Sequence, residues 1–203
     1  MSERPASAAA ATSVLFIVGV VALGDVLGSF ADPDEAFVDL FSSGGRRAVF
    51  IVGSLALTGA AVSLVSSVIG LTGERPGERV PVLVSAGFAA GSMVLAGLAF
   101  LTVPLSLSLG SLTDDPGFES AQGVLPQFGT VALVIGAMLP AAVLVLLLAR
   151  TPGLLPRWLR TAGYVVAVLQ LAAFAVMPIL LFGLWLGAVS VVLRRSPALD
   201  DPT

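Results

Sequence analysis

The sequence predicts an all-α fold, a polytopic transmembrane bundle of six helices with both termini cytoplasmic. The first observation is composition: 57% of the 203 residues are hydrophobic and only 11% are charged, whereas a soluble domain is nearer one quarter charged. The second is the number of apolar runs long enough to cross a bilayer. The third is the position of the arginines relative to those runs. Together they predict a chain that faces lipid.

Four apolar runs each approach the roughly 20 residues that a helical crossing needs. They cover about residues 12–31, 48–71, 80–103 and 127–149. A last apolar block from Thr161 to Leu193 would be about 50 Å long as one helix, against a hydrocarbon core of about 30 Å. We therefore predict a hairpin of helices at 161–177 and 179–193, turning at Met177-Pro178, where proline disfavours a continuous helix. Residues 1–203 then form a single transmembrane domain.

The positive charges set the predicted orientation. All ten are arginines, and a cytoplasmic N-terminus with six spans places eight of them inside and two outside, as the positive-inside rule requires. The outside pair is Arg46 and Arg47, and the inside set is Arg4, Arg75, Arg79, Arg150, Arg157, Arg160, Arg194 and Arg195. A single last span would put Arg194 and Arg195 outside, so the pattern favours the hairpin.

The first apolar run has a second interpretation. Ser29 and Ala31 are small residues at the spacing of a signal-peptide cleavage site. The run is as long as a full span and is preceded by a single arginine close to a glutamate. We therefore predict that it is retained as the first helix.

Asp25 is the one acidic residue inside an apolar run, and an ionisable group in a membrane span is a functional-site hypothesis by default. It lies about six residues, or roughly 9 Å, from the outer end of that run. Arg46 and Arg47 begin the second helix at the same membrane face. We expect a structural ion pair between the first two helices, with a proton or cation relay at Asp25 as the alternative.

Three pairs of glycines are spaced four residues apart, which lets two helix backbones approach closely in lipid. They are Gly24 and Gly28, Gly87 and Gly91, and Gly183 and Gly187. Packing inside the bundle is the favoured interpretation, and an interface with another subunit or a second copy is the alternative.

Two further features lie inside predicted helices. Gln170 could hydrogen-bond a substrate, although a bond to a neighbouring helix is the commoner use of such a side chain. Pro140 should kink the fourth helix and free a carbonyl group.

The residue types exclude much chemistry. The chain has no cysteine and no histidine, which excludes disulfides, imidazole bases and thiolate or imidazole metal sites. Without lysine there is no amine for a Schiff base. No phosphate-binding loop, catalytic triad or basic nucleic-acid-binding domain is present. We predict no enzyme activity, no cofactor, no metal site and no nucleic-acid partner.

Three features together resemble a family of small bacterial six-helix membrane proteins of unknown function. They are an acidic loop before Arg46-Arg47, the stretch "LPRWLR" from Leu155 to Arg160 before a close-spaced hairpin, and Arg194-Arg195 after it. The resemblance covers nearly the whole chain. It implies the six-helix fold but no activity and no site residues. The absence of lysine and the bias toward alanine, valine, glycine and arginine are also typical of a high-GC bacterial genome, which implies the plasma membrane.

These observations lead to two functional hypotheses. The first is a multi-pass plasma-membrane protein without catalytic chemistry, an accessory, assembly or regulatory subunit whose partners are the lipid bilayer and other membrane proteins or a second copy. The alternative is a small permease or channel for a small or apolar solute. The candidate site residues are Asp25, Arg46, Arg47 and Gln170.

Overall fold

The computed structural model describes residues 4–24, 44–72, 76–109, 124–125, 127–172 and 176–195. These ranges are helical apart from short turns, and no strand occurs among the residues described. The predicted all-α fold class is confirmed.

Six helices lie within the described ranges. They are α1 (Arg4–Ala22), α2 (Gly44–Thr72), α3 (Pro76–Leu109), α4 (Gln127–Arg150), α5 (Arg157–Ala172) and α6 (Val176–Arg195). Within α4, the segment Ala132–Ala137 is π-helical, and regular α-helix continues from Met138.

Within the residues searched, α1 to α4 are long and apolar enough to cross a membrane. The last two helices are the predicted hairpin. With 16 residues, α5 is about 24 Å long, less than the roughly 30 Å of a hydrocarbon core. The structure therefore gives four candidate spans and a hairpin with one short arm.

Several helix boundaries differ from those predicted, most clearly at the first helix and in the hairpin. The first helix begins at Arg4 rather than near residue 12, because the stretch from Ala8 to Ala11 has high helix propensity. In the hairpin, α5 ends at Ala172 and α6 begins at Val176. Met177 and Pro178 thus lie inside α6 rather than between the two helices. Pro178 is tolerated there because the N–H groups of a first helical turn have no intrahelical partner to lose.

Each helix packs antiparallel to the next one along the chain, and α6 returns to pack against α1. The direction follows from pairs of contacts. Along α1, Pro5 lies beside Gly70 and Gly19 lies beside Gly53 of α2. Between α3 and α4, Ser92 lies beside Gly136 while Phe100 lies beside Gly129. The helices form a closed ring in which the start of α1 and the end of α6 are on the same side.

Contacts between α1 and α6 close this ring. The rings of Phe16 and Phe182 meet edge to face with centroids 5.4 Å apart. The Ser13 hydroxyl donates a hydrogen bond to the Gly183 carbonyl at 2.7 Å, and such interhelical bonds contribute about 1 kcal/mol in a membrane. A second edge-to-face pair, Phe50 and Phe100, joins α2 to α3.

The hairpin is held by a buried tryptophan. Trp185 of α6 is 3% exposed, and its indole N–H donates to the Leu159 carbonyl of α5 at 3.1 Å. Gly163 leaves room for the ring, since a Cβ there would lie 3.1 Å from the indole nitrogen. This contact pairs the start of α5 with the middle of α6.

Candidate functional site

The predicted ion pair between the first two helices lies partly outside the described residues, because Asp25 is not among them. Arg46 and Arg47 lie in the first turn of α2, Arg46 exposed and Arg47 half-buried. The Nε atom of Arg47 is buried and has no hydrogen-bond partner within the described ranges. The ion pair stays a prediction.

Gln170 is the predicted site residue that the structure places in the core. It is 3% exposed, and its Nε2 lies 3.8 Å from the Met138 sulfur of α4. A thioether is a weak acceptor. The Oε1 atom is buried without any partner among the residues described, and a buried acceptor left unsatisfied costs about 1–3 kcal/mol. Gln170 is therefore a polar group that the described core does not satisfy.

An irregular segment of α4 lies beside Gln170. Pro140 has no N–H to donate to the Gly136 carbonyl four residues earlier. The backbone responds before the proline: residues Ala132–Ala137 are π-helical, and the Met138 N–H bonds the Leu133 carbonyl five residues back. Met138, the neighbour of Gln170, is therefore the first residue of the regular helix. Such π-turns occur frequently at functional sites.

The polar surroundings of this segment continue along α4. The hydroxyl of Thr130 is a third buried atom with no hydrogen-bond partner in the described part of the chain. On the α3 side, the Ser92 hydroxyl would lie 2.8 Å from a Cβ added to Gly136. The α3–α4–α5 side thus contains one unsatisfied amide oxygen and two hydroxyls, at different levels along the helices, in otherwise apolar surroundings.

The glycine pairs have different surroundings. A Cβ at Gly183 or Gly187 would lie within 3 Å of Ile17 or Ser13 of α1, so this pair packs inside the bundle as expected. Gly87 and Gly91 are exposed, and a Cβ on either would meet nothing within 4 Å. Gly28 of the first pair lies outside the described residues.

The exposed pair forms the floor of a shallow groove on the outer face of α3, with a volume of about 400 Å³. We call it the α3 groove. Six residues of α3 line it: Val84, Gly87, Phe88, Gly91, Ser92 and Leu95. All of them are uncharged, and they lie within the candidate span Arg79–Thr102.

Sequence reasoning missed a close crossing of α1 and α2. A Cβ at Gly19 would lie 3.1 Å from both the Gly53 carbonyl oxygen and the Leu57 nitrogen. A Cβ at Gly53 would lie 2.7 Å from the Ala22 Cβ. Neither glycine belongs to a pair with four-residue spacing on its own helix, so that motif could not have found the crossing.

No protein-family model matches the chain, and neither a curated protein nor a solved structure does. The resemblance to the six-helix family therefore stays a prediction. The fold itself defines a class: with four apolar helices of spanning length, this is an all-α membrane protein.

Proposed function

We propose that this protein is a six-span, multi-pass protein of the bacterial plasma membrane that serves as an accessory, assembly or regulatory subunit without catalytic chemistry. It acts by packing one of its helix faces against another membrane protein. Both termini lie in the cytoplasm in this proposal, with the arginine-rich end of the ring facing inward.

The observation that supports this function is the outward α3 groove. Between helices in lipid there is little hydrophobic drive, so association depends on close backbone approach and van der Waals packing. Gly87 and Gly91 provide that approach on a face that no helix of the ring occupies among the residues described. Phe88, 67% exposed, and Leu95, 51% exposed, flank the glycines as apolar ridges.

The occupant that we propose is a transmembrane helix of a different membrane protein. The groove runs from Val84 to Leu95, about 17 Å along α3, which is half the thickness of a hydrocarbon core. It contains no charge, so a helix that fits it is apolar and lies at membrane depth.

A large side chain that fills the groove should therefore weaken binding of the partner. We expect the tagged wild-type protein, extracted in mild detergent, to bring down another membrane protein in stoichiometric amount. In the reciprocal experiment, the tagged partner should bring down this protein. Gly91→Leu should reduce the recovered partner at least about tenfold, because a few lost contacts at a close crossing cost 1.4 kcal/mol or more. Quantitative mass spectrometry of both pull-downs measures the ratio.

Val62→Leu is the matched control, because Val62 is 65% exposed on the outer face of α2. It should keep the partner. Recovery of the protein as a monomer would contradict the proposal. Recovery as a homodimer would also contradict it, because the groove would then be occupied by a second copy. If the Gly91→Leu variant captured as much partner as the wild type, the α3 groove would not be the binding surface.

A small permease or channel is the second candidate, and the unsatisfied Gln170 favours it. A buried acceptor beside a π-turn and a proline can bind a solute that donates hydrogen bonds, as irregular helices do in transporters. In the alternative role, Gln170 is a packing residue with an imperfect partner.

Gln170→Met separates the two roles of this residue. Replacing an unsatisfied buried amide by an apolar side chain of similar length should leave the melting temperature unchanged or raise it, since the desolvation cost of the amide disappears. If Gln170 binds a solute, the same variant, although stable, loses uptake in reconstituted vesicles. A marked fall in melting temperature would show that the amide has a structural partner.

A further inference from the structure

The short turn between α4 and α5 concentrates positive charge. Arg150 is the last residue of α4 and Arg157 is the first of α5, and both are exposed. The Arg160 Nε donates to the Ala149 carbonyl at 2.9 Å, which holds this guanidinium at the end of α4. Arg157 and Arg160 are three residues apart and share a face of α5.

The three helices α4, α5 and α6 supply no negative charge for this cluster. No aspartate or glutamate occurs from residue 120 to residue 199, so α4, α5 and α6 are free of carboxylates. In the first turn of the neighbouring α3, Glu78 is followed by Arg79, so this pair adds no net charge. Closely spaced like charges repel, and an anion from outside the three helices would relieve that repulsion.

The start of α5 adds donors at the same place. The Leu159 and Arg160 N–H groups make the first helical bonds, both to the Pro156 carbonyl at 3.1 Å. The N–H groups of Arg157 and Trp158 are at the start of the helix and have no intrahelical acceptor. Pro156 has no side-chain acceptor to cap them. A helix start of this kind attracts anions through its free donors and its dipole.

The turn is anchored to the bundle by two buried leucines and carries an exposed tryptophan. Gly153 adopts a φ of 72°, which glycine permits without strain. Leu155 and Leu159, 6% and 1% exposed, pack into the core. Trp158 is 60% exposed, and exposed tryptophan is typical of the membrane–water interface. The packed turn therefore holds the arginines at the end of the candidate span α4, beside an aromatic side chain of the type found at membrane interfaces.

We propose that the α4–α5 turn is a binding site for the phosphate of an anionic phospholipid, held by the guanidinium groups of Arg150, Arg157 and Arg160. Guanidinium groups bind phosphate oxygens in bidentate geometry. The free donors at the start of α5 complete the site, and Trp158 packs beside the glycerol and upper acyl region. This role is independent of the partner proposed for the α3 groove.

The test compares lipids on the full-length protein after delipidation in detergent. Phosphatidylglycerol added to the delipidated protein should bind, as seen by native mass spectrometry, and raise the melting temperature. Phosphatidylcholine should do neither. The double variant Arg150→Gln/Arg157→Gln should weaken phosphatidylglycerol binding by at least about tenfold, since charge-assisted bonds to phosphate are lost. Arg160 is left intact because it also bonds the Ala149 carbonyl.

The double variant Arg194→Gln/Arg195→Gln removes the same charge from exposed positions at the end of α6. It should keep wild-type binding. Equal loss in both double variants would assign the effect to overall charge and overturn the site. Full binding in Arg150→Gln/Arg157→Gln would also overturn it, as would stabilisation by inorganic phosphate equal to that by phosphatidylglycerol.

Discussion

Gly19→Leu is expected to lower the melting temperature of the purified protein by roughly 5 °C or more. A Cβ at Gly19 lies 3.1 Å from two backbone atoms of α2, the Gly53 carbonyl oxygen and the Leu57 nitrogen. Backbone atoms in a helix cannot rotate aside, so the leucine must force α1 and α2 apart. Overpacking of this kind costs about 1–3 kcal/mol or more, and each kcal/mol shifts the melting temperature by about 2–4 °C in a domain of this size.

Gly87→Leu is the matched control for this effect. It makes the same substitution in a helix interior, but a Cβ there meets open space. Its melting temperature in detergent should stay within about 2 °C of wild type, because helix propensity even favours leucine over glycine. Thermal unfolding followed by circular dichroism measures both variants. Equal destabilisation by the two substitutions would contradict the crossing of α1 and α2 at Gly19.

Trp185→Ala is expected to produce the largest loss of stability among substitutions in the hairpin. Trp185 is almost fully buried and donates to the Leu159 carbonyl. Its removal therefore leaves a cavity and deletes the hydrogen bond between α5 and α6. Large-to-small substitutions of buried aromatic residues cost about 3–5 kcal/mol. Trp185→Phe keeps most of the ring and should cost about 1–2 kcal/mol, chiefly the lost hydrogen bond.

The chain has two tryptophans, and the second provides the control. Trp158 is 60% exposed, so Trp158→Ala should change the free energy of unfolding by about 0.5 kcal/mol or less. Denaturant titration in mixed micelles gives both values. A Trp158→Ala variant as unstable as Trp185→Ala would show that the assigned burial of the two rings is incorrect.

The fold class could be predicted because lipid exposure imposes strong constraints on a sequence. Only a helix satisfies its own backbone in hydrocarbon when no closed barrel is possible, and the lengths of the apolar runs then give the four candidate spans of α1 to α4. The length of the block from Thr161 to Leu193 also predicted a hairpin. The exact break could not be predicted, because Pro178 is compatible both with a turn and with the first turn of α6.

The candidate site was predictable only in part. Gln170 stands out in the sequence as a polar residue in an apolar helix, and the structure places it in the core. Its neighbour Met138 and the π-turn before it carry no comparable signal. Pro140 indicates that α4 must be irregular, but it does not indicate that the change occurs at residues 132–137.

By itself, the sequence determined that this is an all-α protein with apolar spans and arginines placed mainly to one side of them. Only the tertiary structure decided that Gly183 and Gly187 pack against α1, while Gly87 and Gly91 face outward, although both pairs have the same spacing. The physical reason is that lipid and protein interior are equally apolar. In a soluble helix a polar face identifies the outside, but in a membrane helix every face is apolar, and only the packing of its neighbours distinguishes the core from the bilayer.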